Sequence, residues 1–136
     1  DFLTSDNPVM YFNPSVSNEE LRPYALEPQG EVMLMMPVSP KLMIAGASWD
    51  KSRFSANGLE YSELQDANDV SLVNEKIVRF SYSAIYARST PDEKLIRSHA
   101  KSSPVVLAKP FVKDGQHGVA FENIFGERRS KPKWKR

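Results

Sequence analysis

The sequence predicts an α+β domain in which a mostly antiparallel sheet packs against two helices. β-prone apolar runs come first, two helical segments follow, and shorter apolar runs come last, without an internal repeat. The chain has 136 residues, of which 40% are hydrophobic and 26% are charged. These values are typical of one soluble globular domain. The longest mostly apolar run, residues 32–38, is far short of the ~20 residues that a membrane helix needs.

The strongest strand signals are the apolar runs 30–38 and 41–47, which follow the shorter runs 1–5 and 9–12. A short connection with a proline at each end separates the two long runs and predicts a hairpin. Their nearly continuous apolar character predicts burial on both faces or a central position in a sheet. Four of the five methionines lie here, and we interpret them as soft core packing, with a methionine-lined groove as the alternative.

A helix is predicted over about 66–84, after a polar stretch with a turn at Asn57-Gly58. Asp66 or Asn68 would cap its N-terminus. Apolar side chains recur at spacings of three and four, which defines one helical face. They are Val70, Val73, Ile77, Phe80 and Ala84.

A second helix is predicted over about 91–101, with Thr90 as its N-cap and Pro91 as its first residue. Short strands follow at 104–108 and 119–121, and Asp114-Gly115 between them is typical of a turn.

Charge divides the chain into a domain, residues 1–126, and a basic tail, residues 127–136. Six cations and one acid give the tail a net charge of +5, and the other 126 residues carry −4. Cations interleaved with an indole suit a nucleic-acid contact, and a solvated solubilising tail is the alternative. The candidate residues are Arg128, Arg129, Lys131, Lys133, Trp134, Lys135 and Arg136.

Few residues could hold a metal or a cofactor. The absence of cysteine excludes disulfides, thiol nucleophiles and Cys-based metal sites. The two histidines, His99 and His117, belong to no recognised catalytic motif, and a group of His117, Asp114 and Glu122 is too sparse to predict a site. We therefore expect neither a metal nor a cofactor.

The stretch Thr4-Ser5-Asp6-Asn7-Pro8 puts hydroxyls, a carboxylate and an amide at the end of an apolar strand. Asp6 and Asn7 could form hydrogen bonds to a ligand or hold a hard cation, which makes them the candidate catalytic residues. The alternative is an Asx-type turn in which they bond nearby backbone N–H groups.

The same stretch, read from Phe2 to Val9, resembles the TSDNPV signature of a mainly bacterial family, domain of unknown function 4238. The P-x-S-P element at residues 37–40 is similar to a second family motif, and the helix that ends in Tyr82 and Tyr86 is similar to a third. The resemblance covers residues 1 to about 100 in order. It implies that a helical half with an H-x-x-P element precedes this region, so that the chain is the C-terminal part of a longer protein.

Three functions are compatible with these features. The first is a binding or interaction module in a bacterial, cytoplasmic protein, with the helical half of the same protein as its partner. The second is half of an enzyme acting on nucleic acid or nucleotides, related to nucleases or defence, with Asp6 and Asn7 in the site. The third is a structural scaffold only. We favour the first, because no complete catalytic constellation is present.

Overall fold

The computed structural model of the chain describes residues 1–26 and 30–128. Within these residues, strands come first, helices dominate the middle of the chain and a final pair of strands follows, a segregated order that is typical of an α+β fold. The strands are β1 (Thr4–Ser5), β2 (Met10–Phe12), β3 (Met33–Ser39), β4 (Leu42–Ala47), β5 (Ile85–Tyr86), β6 (Ser102–Lys113) and β7 (Gln116–Glu127). The helices are α1 (Lys51–Asn57), α2 (Ala67–Phe80) and α3 (Glu93–His99). No helix of the described ranges is long and apolar enough to cross a membrane.

All strand pairing in the described residues is antiparallel, which confirms the predicted class. The strands are divided among three small sheets, with the orders β1-β5, β2-β3-β4 and β6-β7. The first sheet brings the start of the chain next to the segment that follows α2. The other two leave β4 and both strands of the last hairpin at sheet edges.

Helix α2 begins where the sequence predicts and ends four residues early. The carboxylate of Asp66 accepts a hydrogen bond from the backbone N–H of Asn68 at 2.8 Å, which caps the N-terminus. The helix stops at Phe80 because the next residue, Ser81, has extended backbone. Val73, Ile77 and Phe80 of the predicted apolar face are buried, as expected.

The two short helices differ more from the prediction. Asp92, not Thr90, caps α3 by accepting a hydrogen bond from the N–H of Leu95 at 3.0 Å, so the helix starts later. Helix α1 was not predicted at all. This helix buries no residue, so the sequence has no apolar stripe there that would predict a helix. The helix ends at Gly58, whose φ of 70° agrees with the turn predicted at Asn57-Gly58.

The predicted hairpin of β3 and β4 forms, and β3 has the central position in its sheet that was one of the two expectations. The other expectation, burial on both faces, is wrong. One face carries Met33, Met35 and Met43, which pack against the core as predicted, whereas the fourth methionine of this region, Met36, lies on the other face. The opposite face is open. Its apolar side chains are Leu34, Met36, Val38, Leu42 and Ile44, and we call this surface the outer face.

The core lies between α2 and the first strands, and Phe80 is at its centre. This fully buried ring contacts Phe12, Tyr24 and Phe125, with centroid distances of 5.9, 5.4 and 5.1 Å. Such tilted and edge-to-face ring contacts stabilise the core beyond the contribution of burying each ring. Phe80 thereby joins the strand segments at the start of the chain to the hairpin at its end.

Strands β6 and β7 form a hairpin much longer than the two short strands predicted there. The turn is at Asp114-Gly115, as predicted, and the φ values of 53° and 76° are those of a type I′ turn. At the base, Ser103 and Pro104 are buried. Beyond the base the strands extend away from the core, and we call residues 106–123 the arm.

Candidate functional site

Asp6, the first candidate residue, fastens the start of the chain to the segment that follows α2. Its two carboxylate oxygens accept hydrogen bonds from the backbone N–H groups of Tyr82, at 2.9 Å, and Ser83, at 2.8 Å. Its own N–H donates to the carbonyl of Ala84 at 3.1 Å. These bonds hold the backbone after Phe80 away from helical geometry, which explains why α2 ends early.

Asn7, the second candidate, is used in the same way. Its side-chain amide donates to the carbonyl oxygen of Phe80 at 2.8 Å and to the hydroxyl of Tyr24. Its backbone N–H donates to Oγ of Ser5 at 3.2 Å, a local bond of the kind expected in such a turn. The main partners, however, lie 17 and 73 residues away in sequence. We call these bonds of Asp6 and Asn7 the tether.

Tyr24 completes the tether from a third segment. Its backbone has a φ of 58°, which is rare for a bulky residue, and its N–H donates to the carbonyl of Tyr11 at 3.0 Å. Its ring packs on Tyr11 and Phe80. Burial raises the pKa of Tyr24 to about 12, although the hydrogen bond from Asn7 acts in the opposite direction.

This shift predicts a loss of stability in strong alkali. The unfolded chain ionises Tyr24 near its ordinary pKa of 10.0, and the folded chain retains the proton up to about 12. The stabilisation is therefore complete below pH 10 and is lost as the pH rises through the folded pKa. Denaturant unfolding across this range should show a smaller decline for Tyr24→Phe than for the native chain, whereas Tyr61→Phe, at an exposed ring, should match the native chain. Equal declines in all three would contradict the shift.

Arg128 is the one residue of the predicted nucleic-acid set within the described part of the chain. Its guanidinium donates to the carbonyls of Val78 and Ser102 and to Oγ of Ser81, at 3.0–3.2 Å. Burial lowers the pKa of this group. Arg128 therefore secures the base of the hairpin to α2, and its role in nucleic-acid binding stays a prediction. The other six residues, Arg129, Lys131, Lys133, Trp134, Lys135 and Arg136, lie outside the described residues.

The remaining titratable groups do not converge on one point. No group of three or more His, Cys, Asp or Glu side chains that could hold a metal occurs in residues 1–26 and 30–128. The Nδ1 atom of His99 lies 3.7 Å from Oε1 of Glu75, and His117 is exposed near the tip of the arm. Glu122 pairs with Arg22 and Lys109 instead of joining His117. The described residues thus assign Asp6 and Asn7 to structural bonds, and their catalytic role stays a prediction.

A family model described as "Protein of unknown function (DUF4238)" matches residues 1–91. The chain belongs to the DUF4238 family. No curated protein and no solved structure matches it. The match spans the tether, β1 to β5 and the first two helices, and it stops before α3 and the arm.

A second surface of this DUF4238 chain was missed by the sequence interpretation. A groove of about 650 Å³ runs beside the edge strand β4. Its apolar wall includes Leu34 of the outer face and three exposed side chains, Phe54, Leu59 and Tyr61. Both acidic and basic groups line it, and Arg53 pairs there with Glu60. The continuous apolar run of β3 is the available signal, but such a run is equally compatible with a buried strand and with a strand exposed on one face.

Proposed function

We propose that this DUF4238 domain is an interaction module that binds another polypeptide through the outer face of β3 and β4 and the adjoining groove. The observation that carries the proposal is the exposure of this apolar surface. Val38, Leu42 and Ile44 are 53%, 44% and 41% exposed, and Leu59 and Tyr61 across the groove are 84% and 77% exposed. Contiguous exposed apolar surface of this kind marks interaction sites more often than scattered apolar residues do.

The partner that fits best is an amphipathic helix. The seven residues of β3 span about 23 Å at ~3.3 Å per residue, which equals a helix of about 15 residues at ~1.5 Å per residue. A helix with one apolar stripe can cover the outer face, and its polar flanks can meet the acids and bases of the groove. The resemblance described above implies such a partner, because it implies a helical half that precedes this region.

The position of Asp1 supports this partner. The N–H of Phe2 donates to the carbonyl of Pro40 at 2.8 Å, and the carboxylate of Asp1 pairs with Lys41 at 2.9 Å. The first residues therefore lie next to the turn between β3 and β4. A helical half joined ahead of Asp1 would arrive at one end of the outer face. The same resemblance supports a bacterial, cytoplasmic setting.

The test is a binding titration of this chain with the separately expressed helical half of a DUF4238 protein, by calorimetry. Ile44→Lys should weaken binding about 10-fold or more, which corresponds to at least ~1.4 kcal/mol, because it puts a charge in the apolar face. Leu72→Lys is the matched control, since Leu72 is 54% exposed on α2 and lies outside both surfaces. Absence of binding by the native chain, or equal effects of the two variants, would refute the proposal.

A further inference from the structure

The arm has one face that is almost entirely apolar and exposed. Side chains alternate between the two faces of a strand, so residues of equal parity on β6 share a face with their partners on β7. Phe121 is 74% exposed on this face, and Val106, Val112 and Val119 are 53–64% exposed. The full set is Val106, Ala108, Pro110, Val112, His117, Val119, Phe121 and Asn123.

The other face of the arm carries charged side chains that form ion pairs within the same chain. Glu122 pairs there with Lys109 and with Arg22 of the folded body. The ring of Phe111 covers Gly118 so closely that a Cβ at that glycine would lie 2.6 Å from the ring. The charged groups are therefore collected on the face opposite to the apolar one. A two-stranded ribbon with one uncovered apolar face is marginally stable in water by itself and gains from a further strand.

The two edges of the arm differ in their capacity to accept such a strand. The two-residue turn makes Lys113 and Gln116 a hydrogen-bonded pair. Alternate residues therefore direct their backbone groups outward, namely the even positions of β6 and the odd positions of β7. Two outward positions of β6, Pro104 and Pro110, lack an N–H, which blocks that edge.

The outer edge of β7 has no such protection. Its outward positions along the arm are His117, Val119, Phe121 and Asn123. None of them is a proline, and no described residue forms a hydrogen bond with their outward backbone groups. Four consecutive outward positions thus offer unpaired donors and acceptors over a stretch of exposed, β-prone sequence.

We propose that β7 pairs antiparallel with β7 of a second copy of this chain, about a two-fold axis at Ala120. The two hairpins then form one four-stranded sheet with β7 strands at its centre and the proline-blocked β6 strands at its edges. Because a two-fold interface uses the same patch twice, the patch must be complementary to itself. This surface is distinct from the outer face of β3 and β4, and the inference does not depend on the proposed function.

The register about Ala120 satisfies the self-complementarity that a two-fold axis demands. Val119 faces the partner subunit's Phe121, and His117 faces the partner subunit's Asn123, so all four outward positions meet outward positions. Such aliphatic–aromatic cross-strand pairs are stabilising. On the other face, Glu122 lies opposite the partner subunit's Gly118, so like charges are not directly opposed. Ala120 itself is small enough for close approach at the axis.

The pairing also explains the length of the arm and its apolar face. Each tip comes to lie beside the base of the other arm, where Pro104 and Phe125 of the same face pack on the body. The apolar side chains at the tip, such as Val112, are thereby directed toward the partner's body. The paired segment of seven residues, 117–123, is small for a stable protein–protein interface, so we expect a weak dimer that dissociates on dilution.

The first test is the mass of the full chain, measured by sedimentation over a range of concentrations. The native chain should shift from 15.4 kDa toward twice that mass. Val119→Pro removes an outward N–H of β7 without removing a bond to β6, and it should weaken the dimer about 10-fold or more. Val106→Pro is the matched control, because the same change on the already blocked edge of β6 should leave the dimer intact. A native chain that stays monomeric, or equal effects of the two prolines, would overturn the proposal.

A second pair of variants tests the register without proline. Ala120→Glu puts two carboxylates opposite each other at the axis, and it should give a monomer with a native far-ultraviolet circular dichroism spectrum. An equimolar mixture of Ala120→Glu and Ala120→Lys should restore a dimer, because opposite charges then meet. Retention of the native dimer by Ala120→Glu alone, or no dimer in the mixture, would contradict pairing at Ala120.

Discussion

Replacing Phe80 by alanine is expected to lower the free energy of unfolding by about 3–5 kcal/mol. Its ring is fully buried and contacts three other aromatic rings, so the substitution removes both the burial and the edge contacts. The cavity left by the missing ring would lie between the segments that carry Phe12, Tyr24 and Phe125, and no single segment could move to fill it. The loss should be visible as a lower denaturant midpoint in equilibrium unfolding.

Phe54→Ala is the control for this substitution, because Phe54 is 59% exposed in α1. We expect it to change the free energy of unfolding by less than about 0.5 kcal/mol. The Phe80 variant should also loosen the base of the hairpin, since Phe125 loses its partner. Faster amide exchange at residues 124–126 would report this effect. Similar unfolding energies for both alanine variants would contradict the assignment of Phe80 to the centre of the core.

Replacing Asn7 by alanine should lower the free energy of unfolding by about 1–3 kcal/mol, the cost of leaving buried hydrogen-bonding groups unpaired. The carbonyl of Phe80 and the hydroxyl of Tyr24 both lose the amide. Asn7→Asp should be at least as harmful, because a carboxylate cannot donate to the Phe80 carbonyl. Equilibrium unfolding of both variants measures the effect.

Asn57→Ala is the matched control, since the amide of Asn57 bonds to the exposed side chain of Glu60. It should leave the midpoint nearly unchanged. A catalytic Asn7 would behave in the opposite way, with stability retained after the substitution and an activity lost. Native-like stability of Asn7→Ala and Asn7→Asp would therefore contradict the structural role and favour the catalytic interpretation.

Local signals predicted the elements whose causes are local. Asp66 caps α2 because a carboxylate next to the first turn needs no distant partner. The turn at Asp114-Gly115 follows from the backbone freedom of its residues. By contrast, α1 buries nothing and left no periodic pattern, and the two apolar strands β3 and β4 are exposed on one face. A run of apolar residues reports hydrophobicity but does not say whether anything covers it.

The candidate site was predictable as a motif and not as an arrangement. The position of Asp6 and Asn7 after an apolar strand predicted that their side chains form specific hydrogen bonds, either to a ligand or within a turn. Most of their partners, from Phe80 to Ala84, lie more than 70 residues away, and nothing in the sequence links those residues to Asp6 and Asn7. The outward edge of β7 was equally hidden, because it depends on the register set by the turn. The tether depends on the pairing of distant segments, and the outward edge depends on a hairpin longer than the short strands that the sequence predicts. Sequence periodicity encodes neither.

The tether has a consequence for synthesis on the ribosome. The N–H of Ser83, which Asp6 binds, is made 77 residues later. At about 5–20 residues per second, the delay is roughly 4–15 s. During that time the adjoining apolar residues Phe2 and Leu3 have no native place to pack, since Leu3 bonds to Asn74 of α2 and sits in the core that α2 completes. The nascent chain should therefore depend on a holding chaperone until α2 has left the ribosome, and slow codons within residues 8–66 should lower the folded yield.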